Sequence, residues 1–170
     1  MDILEALFTR RSIRKYLPQP VSDEDITLLL KAAMLAPSAN NCRPWHFVVV
    51  RDEATRKTLA ERHPYAKMAA GAPLVIVVCA NLDEQKGSDF WVQDCSAATQ
   101  NLMLAARGRN LGSVWCGLYP REERENIVRE VLHLPSNVRA LSLVVVGHSD
   151  QPFFEANRFN AEKIHYDRWE

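Results

Sequence analysis

Three arginines surround a serine near the amino terminus, and this combination of side chains is the first in the chain that could perform chemistry. The run is Arg10, Arg11, Ser12 and Arg14. Guanidinium groups bind phosphate oxygens through paired hydrogen bonds, and a serine hydroxyl adds a further donor. The same residues could instead form the cationic end of a helix, where the helix dipole favours positive charge. Composition alone favours the second interpretation, and both stay open at this point.

Sequence motifs of several other chemistries are missing. The chain has no GxGxxG or GxxxxGK[ST] loop, so a bound phosphate would have to be held by side chains. It also lacks a GxSxG nucleophile motif. The cysteines form no CxxC pair and the five histidines no ligand pair, so we predict no metal site. The four cysteines are Cys42, Cys79, Cys95 and Cys116.

The composition is that of a globular protein without an overall charge. Twenty-one basic residues balance twenty-one acidic ones across 170 residues, which argues against recruitment of nucleic acid by a global field. The first residues, MDILEALFTRRS, do not follow the pattern of a signal peptide. The longest apolar run, residues 72–80, is too short to span a bilayer. We therefore predict a cytoplasmic protein.

One stretch organises the predicted elements. Residues 90–106 carry a single charge, Asp94, and contain no glycine or proline. Ser88 is a candidate N-cap and Gly108 stands where helices commonly end. Its apolar residues are not confined to one stripe, which predicts a helix buried by the rest of the domain or by a second copy. A buried hydrogen bond for Asp94, at a dimer seam, is preferred over a functional acid.

The remaining pattern alternates strands with helices. Ser22 with Asp25 is a capping-box variant before the second helix. Glu125 and Arg129 have the spacing of a favourable pair on a later helix. Residues 74–80 are apolar on both faces and predict a central strand. Helices are predicted at residues 2–9, 22–36, 52–61, 90–106 and 121–132, and strands at 46–50, 74–80, 113–116 and 141–146.

These elements predict one domain, residues 1–170, with helices on both faces of a small mixed sheet. No internal repeat or linker interrupts the chain. The last twenty residues lose the strand–helix rhythm but keep five large aromatic side chains. These residues must pack on this subunit or on another. They are Phe153, Phe154, Phe159, Tyr166 and Trp169.

Four segments in one order closely resemble the FMN-dependent nitroreductase family. They are RRSIRKY, APSANNCRPWHFVVV, QNLMLAARGRNLGSVWCGLYP and RFNAEKIHYDRW, and the resemblance covers nearly the whole chain. It implies an α+β fold, a three-layer α/β/α sandwich with a central buried helix. It also implies a homodimer with FMN at the subunit interface, and a C-terminal tail that wraps the partner subunit.

The resemblance also implies roles for particular residues. Arg10 and Ser12, in the same cluster as Arg11, would hold the FMN phosphate together with Arg158. Arg14 would reach the ribityl chain or the pyrimidine edge of the flavin. Further positions would pack on the flavin from the partner subunit or line its edge with backbone groups. These are Pro37, Ser38, Ala39 and Asn41 from the partner, and Trp115, Cys116 and Gly117 at the edge.

Simpler roles stay open for some of these positions, since Pro37 and Ser38 could only end a helix and Asn41 could cap a turn. Cys116 is expected to have no covalent role. Arg43 stands where the family often has Gln, so a cation there could favour an anionic substrate or the phosphate of NADPH, or point to solvent.

The implied activity is that of an FMN oxidoreductase. It would take hydride from NADH or NADPH and reduce a nitroaromatic, a quinone or a similar acceptor by a ping-pong mechanism. No residue of the chain is expected to be catalytic, because FMN carries the chemistry. The alternatives are a flavin-binding protein with a sensing, storage or flavin-consuming role, and a reductive dehalogenase.

Overall fold

A computed structural model describes residues 1–87 and 89–169. This part of the chain contains five α-helices around a four-stranded sheet. The helices are α1 (Ile3–Thr9), α2 (Asp23–Met34), α3 (Glu53–Arg62), α4 (Trp91–Gly108) and α5 (Glu122–Leu132). The strands are β1 (Trp45–Val50), β2 (Leu74–Asn81), β3 (Gly112–Gly117) and β4 (Val138–Gly147). Short 3₁₀ turns occur at Ala39–Asn41, Lys67–Ala70, Leu82–Gln85 and Ala161–Lys163.

The sheet has the order β1-β2-β4-β3, and every neighbouring pair is antiparallel. The predicted mixed sheet is therefore wrong for these strands. β2 and β3 do run in the same direction, as strands joined by a helix commonly do, but β4 lies between them in the opposite direction. Within the described residues, the parallel pairing is a single bridge between Ser12 and Ser113.

Helices cover both faces of the sheet, which confirms the predicted α+β three-layer architecture. α2 and α4 pack on one face, and α3 and α5 pack on the other. β2 alternates between the two cores, with Ile76 and Val78 facing one and Val75 and Val77 facing the other. The prediction of a central strand at residues 74–80 is confirmed, because β2 is buried between β1 and β4.

α4 is buried along one stripe rather than on all sides of the single chain. Positions such as Cys95, Ala98 and Leu102 are fully buried, whereas Ala97 and Leu104 on the other side are half-buried. A buried hydroxyl pair, Thr99 Oγ1 to Ser142 Oγ at 2.9 Å, ties the helix to β4. The helix begins after Phe90, which occupies the N-cap position, and the candidate N-cap Ser88 lies outside the described residues.

Local side-chain interactions match the sequence pattern in one place and differ in another. Ser22 Oγ accepts a hydrogen bond from Asp25 N at 3.0 Å, so the predicted cap of α2 is confirmed. The predicted pair of Glu125 and Arg129 is wrong. Glu125 instead accepts two hydrogen bonds from Arg139 on β4, at 2.6 and 2.8 Å, and Arg129 donates to backbone carbonyls, including Val138 O at 2.8 Å.

The start of the C-terminal tail packs on its own subunit. Phe153 lies on the guanidinium of Arg107, at 4.1 Å from carbon to ring centroid. Beyond it, Phe159, Tyr166 and Trp169 expose 78%, 83% and 87% of their surface. These aromatic side chains are too apolar to favour water, so the predicted need for a further surface remains.

We expect Gly147→Ala to destabilise the protein, because an added Cβ would lie 2.6 Å from the ring of Pro73 and 3.0 Å from the ring of Tyr16. Overpacking costs about 1–3 kcal/mol, which corresponds to a decrease in melting temperature of roughly 2–10 °C at this size. Gly71→Ala is the matched control, since its Cβ would meet nothing within 4 Å. Equal melting temperatures for the two variants would show that the end of β4 has room for a methyl group.

Candidate functional site

The candidate site is a cleft of about 470 Å³ along the outer edge of β3. Its volume is within the range of ligand pockets, roughly 300–1,000 Å³. One wall is the strand itself, and the other is the segment between α3 and β2. The lining residues are Arg14, Pro64, Tyr65, Lys67, Met68, Val114, Trp115, Cys116 and Gly117.

β3 presents backbone groups to this cleft because it is an edge strand. Leu118 N donates to Leu141 O of β4, whereas Ser113 O, on the opposite side, accepts from Ile13 N. Backbone groups alternate in direction along a strand, so Trp115 and Gly117 point the same way as Ser113, away from β4. The strand therefore offers hydrogen-bonding groups to a ligand in the cleft.

The opposite wall is fastened to β3 by a buried histidine. His63 Nδ1 accepts a hydrogen bond from Tyr65 N at 3.2 Å, so the proton of the neutral ring is on Nε2, which lies 3.4 Å from Gly117 O. Arg124 of α5 donates to the same carbonyl at 3.2 Å and lies 4.8 Å from the ring of Tyr65. Burial, with a smaller effect of the Arg124 charge, lowers the pKa of His63.

Two cations face the cleft, Arg14 from the first loop and Lys67 from the segment after α3. Arg14 N and Lys15 N both donate to Gln151 Oε1, at 3.2 and 3.1 Å, so the tail fixes the chain at this point. Lys67 was not among the site residues predicted from the sequence. A lone lysine beside Met68 forms no pattern in the sequence that would indicate a role in binding.

A second cationic group lies at the end of α1. The pKa of Arg10 is lowered by burial and then by the nearby charges of Arg11 and Arg158. Among the described residues, no carboxylate forms an ion pair with any of these three arginines. The cluster therefore has uncompensated positive charge, which an anion would neutralise.

The members of this cluster have different local roles. Arg11 caps α1, with Nη2 donating to Phe8 O at 2.7 Å and Nη1 to Arg10 O at 2.5 Å. The alternative interpretation of a cationic helix end thus describes Arg11. Ser12 is exposed beside β3, and Arg158 is exposed in the tail. Arg10, Ser12 and Arg158 are the members with donors to offer a ligand.

The loop predicted to contact a flavin from a partner does not line the cleft of its own chain. Pro37, Ser38, Ala39 and Asn41 lie beyond α2, where Asp94 of α4 accepts a hydrogen bond from Ala39 N at 2.9 Å. The hydrogen bond expected for the buried Asp94 is therefore present in the single chain.

The same loop contains residues in the left-handed backbone region. Asn40, Asn41 and Arg43 have φ of 51°, 52° and 52°, and Arg43 N donates to Ser38 Oγ at 3.0 Å. Arg43 is exposed, and no ion pair joins it to a carboxylate in the part of the chain that is described. Its effect on donor or acceptor preference stays a prediction.

Cys116 lies at the floor of the cleft, buried, with its thiol 3.4 Å from Tyr65 O. Burial raises its pKa to about 11, so the thiol is protonated at neutral pH and is a poor nucleophile. No group of three or more histidine, cysteine, aspartate or glutamate side chains within residues 1–87 and 89–169 could hold a metal ion.

Comparison with known proteins connects this geometry to one family. The sequence profile of the Nitroreductase family matches residues 7–63 and 57–148. A protein of Archaeoglobus fulgidus, provisionally named an NADH dehydrogenase/NAD(P)H nitroreductase, is 49% identical, and the alignment covers 99% of each chain.

Solved structures agree with this comparison. A crystal structure from Parabacteroides distasonis, with the same provisional name, is 41% identical with a TM-score of 0.94 and covers 98% of both chains. A nitroreductase from Desulfovibrio desulfuricans, also provisionally named and solved in complex with FMN, is 31% identical. Its TM-score is 0.85, and the alignment covers 100% of this chain and 99% of that one.

The buried His63 should make stability depend on pH. Because its pKa is lowered in the folded state, the unfolded chain binds protons more readily, and stability falls as pH drops below the usual histidine value of about 6.5. The loss continues down to the lowered folded-state pKa. We expect the melting temperature of His63→Gln to fall less steeply than that of the wild type between about pH 7.5 and 5.5. Parallel curves would contradict the assigned neutral ring.

Proposed function

The chain belongs to the Nitroreductase family, and from that premise we propose that it is an NAD(P)H-dependent oxidoreductase that uses FMN. The observation that best supports this function is the pairing of two adjacent features. One is a cleft with outward-facing backbone groups and two cations, and the other is an arginine cluster that forms no ion pair with a carboxylate among residues 1–87 and 89–169. A flavin ring and a phosphate are the two parts of FMN that these features suit.

The phosphate would be held by Arg10, Arg158 and Ser12. Arginine forks form charge-assisted hydrogen bonds with phosphate oxygens, and a dianion would neutralise the charges of Arg11 and Arg158, which together with the larger effect of burial lower the pKa of Arg10. Arg11 would contribute charge more than hydrogen bonds, because two of its nitrogens already bind the end of α1.

The ring would occupy the cleft, with the backbone of Trp115 and Gly117 along one edge and Arg14 and Lys67 close by. FMN, when bound, supplies the redox chemistry by accepting hydride from NAD(P)H and passing electrons to an acceptor. The residues of the chain orient the ring and place positive charge beside it, which favours its electron-rich reduced form.

Donor and acceptor would use the open side of the same cleft in turn, so we propose ping-pong kinetics with a nitroaromatic, a quinone or a similar acceptor. Tyr65, 64% exposed at the mouth of the cleft, offers an aromatic surface for a planar acceptor. Turnover of NAD(P)H with an acceptor would distinguish this enzymatic role from a purely flavin-binding one.

We also propose that two copies of the chain form the working unit. α1 exposes apolar side chains, including Ile3, Leu7 and Phe8. A groove of about 390 Å³ between α1, α2 and α4 is lined mainly by apolar residues, including Leu35 and Leu104. The outer stripe of α4 is half-buried in the single chain, and the tail residues Phe159, Tyr166 and Trp169 are exposed. Together they form a surface suited to a second copy.

A homodimer would bring the loop at residues 37–41 of one copy to the cleft of the other. Residues 1–170 would then act as one FMN-binding domain per copy. We propose a cytoplasmic location, supported by four free cysteines. Within the described chain, no helix is long and apolar enough to cross a membrane.

The purified protein should be yellow, and Arg10→Ala should weaken FMN binding by about 1.5–3 kcal/mol at most, the contribution of a charged hydrogen bond. Arg51→Ala is the matched control, because Arg51 is exposed and pairs with Asp23 away from the cluster. Titration with FMN measures both affinities. A colourless protein that takes up no added FMN would contradict the proposed function.

NADPH or NADH should bleach the visible absorbance without oxygen, and an acceptor should restore it. Because both substrates would use one cleft in turn, double-reciprocal plots should be parallel. Intersecting plots, with a ternary complex trapped by a dead-end inhibitor, would indicate two separate sites. A flavin that no nicotinamide reduces would favour a sensing or storage role.

Sedimentation should find a dimer at micromolar concentration. We expect its interface to bury roughly 2,000 Å² or more, as obligate interfaces commonly do. Truncation after Gly147 should lose both the dimer and the bound flavin, because it removes Arg158 and the exposed aromatic residues. FMN should raise the melting temperature of the full-length protein by mass action. A stable monomer loaded with FMN would contradict this arrangement.

A further inference from the structure

We propose that Arg107, which has no contact with the cleft, is a positioning residue that joins the two segments of the arginine cluster. In this role it sets the preference for FMN over riboflavin, the same flavin without a phosphate. The inference rests on the proposed function, because it concerns how the phosphate part of that site is assembled.

Arg107 lies in the last turn of α4 and is 7% exposed. Its Nε donates to Thr9 Oγ1 at 2.9 Å, and its Nη1 donates to Asn110 Oδ1 at 3.0 Å. Its guanidinium carbon lies 4.1 Å from the centroid of the Phe153 ring. One buried side chain therefore contacts the residue directly before Arg10 and the part of the tail that leads to Arg158.

The contact with Thr9 fixes the end of α1. Thr9 Oγ1 donates to Glu5 O at 2.6 Å while it accepts from Arg107, and Arg10 N donates to Ala6 O at 3.0 Å. A helix of seven residues is not stable alone, so its position depends on tertiary contacts. Arg107 supplies such a contact where the chain leaves α1, and so fixes the position from which the Arg10 side chain extends.

The contact with Phe153 fixes the tail. Residues 148–160 contain no helix or strand, and the hydrogen bonds that join this segment to residues 14–17 lie ahead of Phe153, at residues such as Ser149 and Gln151. Phe153 lies on Arg107, and the next residue, Phe154, lies 5.1 Å from the guanidinium carbon of Arg11. These two cation–π contacts hold the tail in place against the repulsion between Arg158 and Arg10. Burial, and then the charges of Arg11 and Arg158, lower the pKa of Arg10.

The ring and phosphate parts of the proposed site are supported by different elements. Lys67 and the edge of β3 form the cleft, and His63 and Arg124 connect them. Arg107 contacts neither. Loss of Arg107 should therefore affect the affinity for FMN much more than that for riboflavin, whereas general destabilisation would lower both affinities alike.

The experiment is equilibrium dialysis of the full-length protein against an equimolar mixture of FMN and riboflavin, with the bound fraction of each measured. We expect Arg107→Met to reduce the FMN-to-riboflavin binding ratio about tenfold, the scale of one misplaced charge-assisted contact. Arg109→Met is the matched control. It removes a cation from the same helix end, but Arg109 pairs with Asp25 and Glu24 on the far side.

A ratio that stays within about twofold of the wild type in Arg107→Met, or that falls equally in Arg109→Met, would overturn the inference. If Arg107→Met does not fold, Phe153→Leu tests the same contact, since it removes the aromatic face and keeps an apolar side chain. That variant should lower the ratio about threefold, the scale of a cation–π contact, and an unchanged ratio would overturn the inference. A wild-type protein that binds neither flavin would instead defeat the proposed function.

Discussion

The candidate site depends on one constraint of the sheet, which is that β4 is the single strand paired with β3 in the described part of the chain. An edge strand carries backbone groups that must be satisfied by water, by another strand or by a ligand. Here the first chain segment pairs with β3 at Ser113 and then diverges, so the edge at Trp115 and Gly117 opens into a cleft. A planar ligand with hydrogen-bonding groups along its rim can occupy the place of a further strand.

The second feature of the site is positive charge that the described chain does not neutralise. Arg10, Arg11 and Arg158 would repel one another, and their proximity is maintained by contacts that are mostly not ionic. Backbone carbonyls hold Arg11, and a buried guanidinium, Arg107, holds the segments on either side. The unfavourable free energy of bringing these cations together is therefore offset during folding, before any anion binds. Such preorganisation strengthens anion binding, because little rearrangement is left to oppose it.

The single chain leaves apolar surface without cover, and this surface is not scattered. It lies on α1 and along the tail, with Phe159 and Trp169 among the most exposed aromatic side chains, and the outer stripe of α4 is half-buried. Exposed apolar surface of this kind is typical of an interface, and we propose that a second copy of the chain covers it. The loop at residues 37–41 belongs to the same arrangement, because it is ordered by Asp94 of α4 yet does not reach the cleft of its own subunit. The cleft and the interface are therefore best understood together.

Local signals were sufficient to predict the cap of α2, the central strand and the long helix α4, and four ordered motifs indicated the family. These signals depend on neighbouring residues and on periodicity. Which strand forms the edge followed from the fold, because the insertion of β4 between β2 and β3 involves residues far apart in the chain. For the same reason only the fold revealed Lys67 in the cleft, Arg11 as a helix cap and Arg139 as the partner of Glu125. Charged side chains can reach several partners, and packing selects among them.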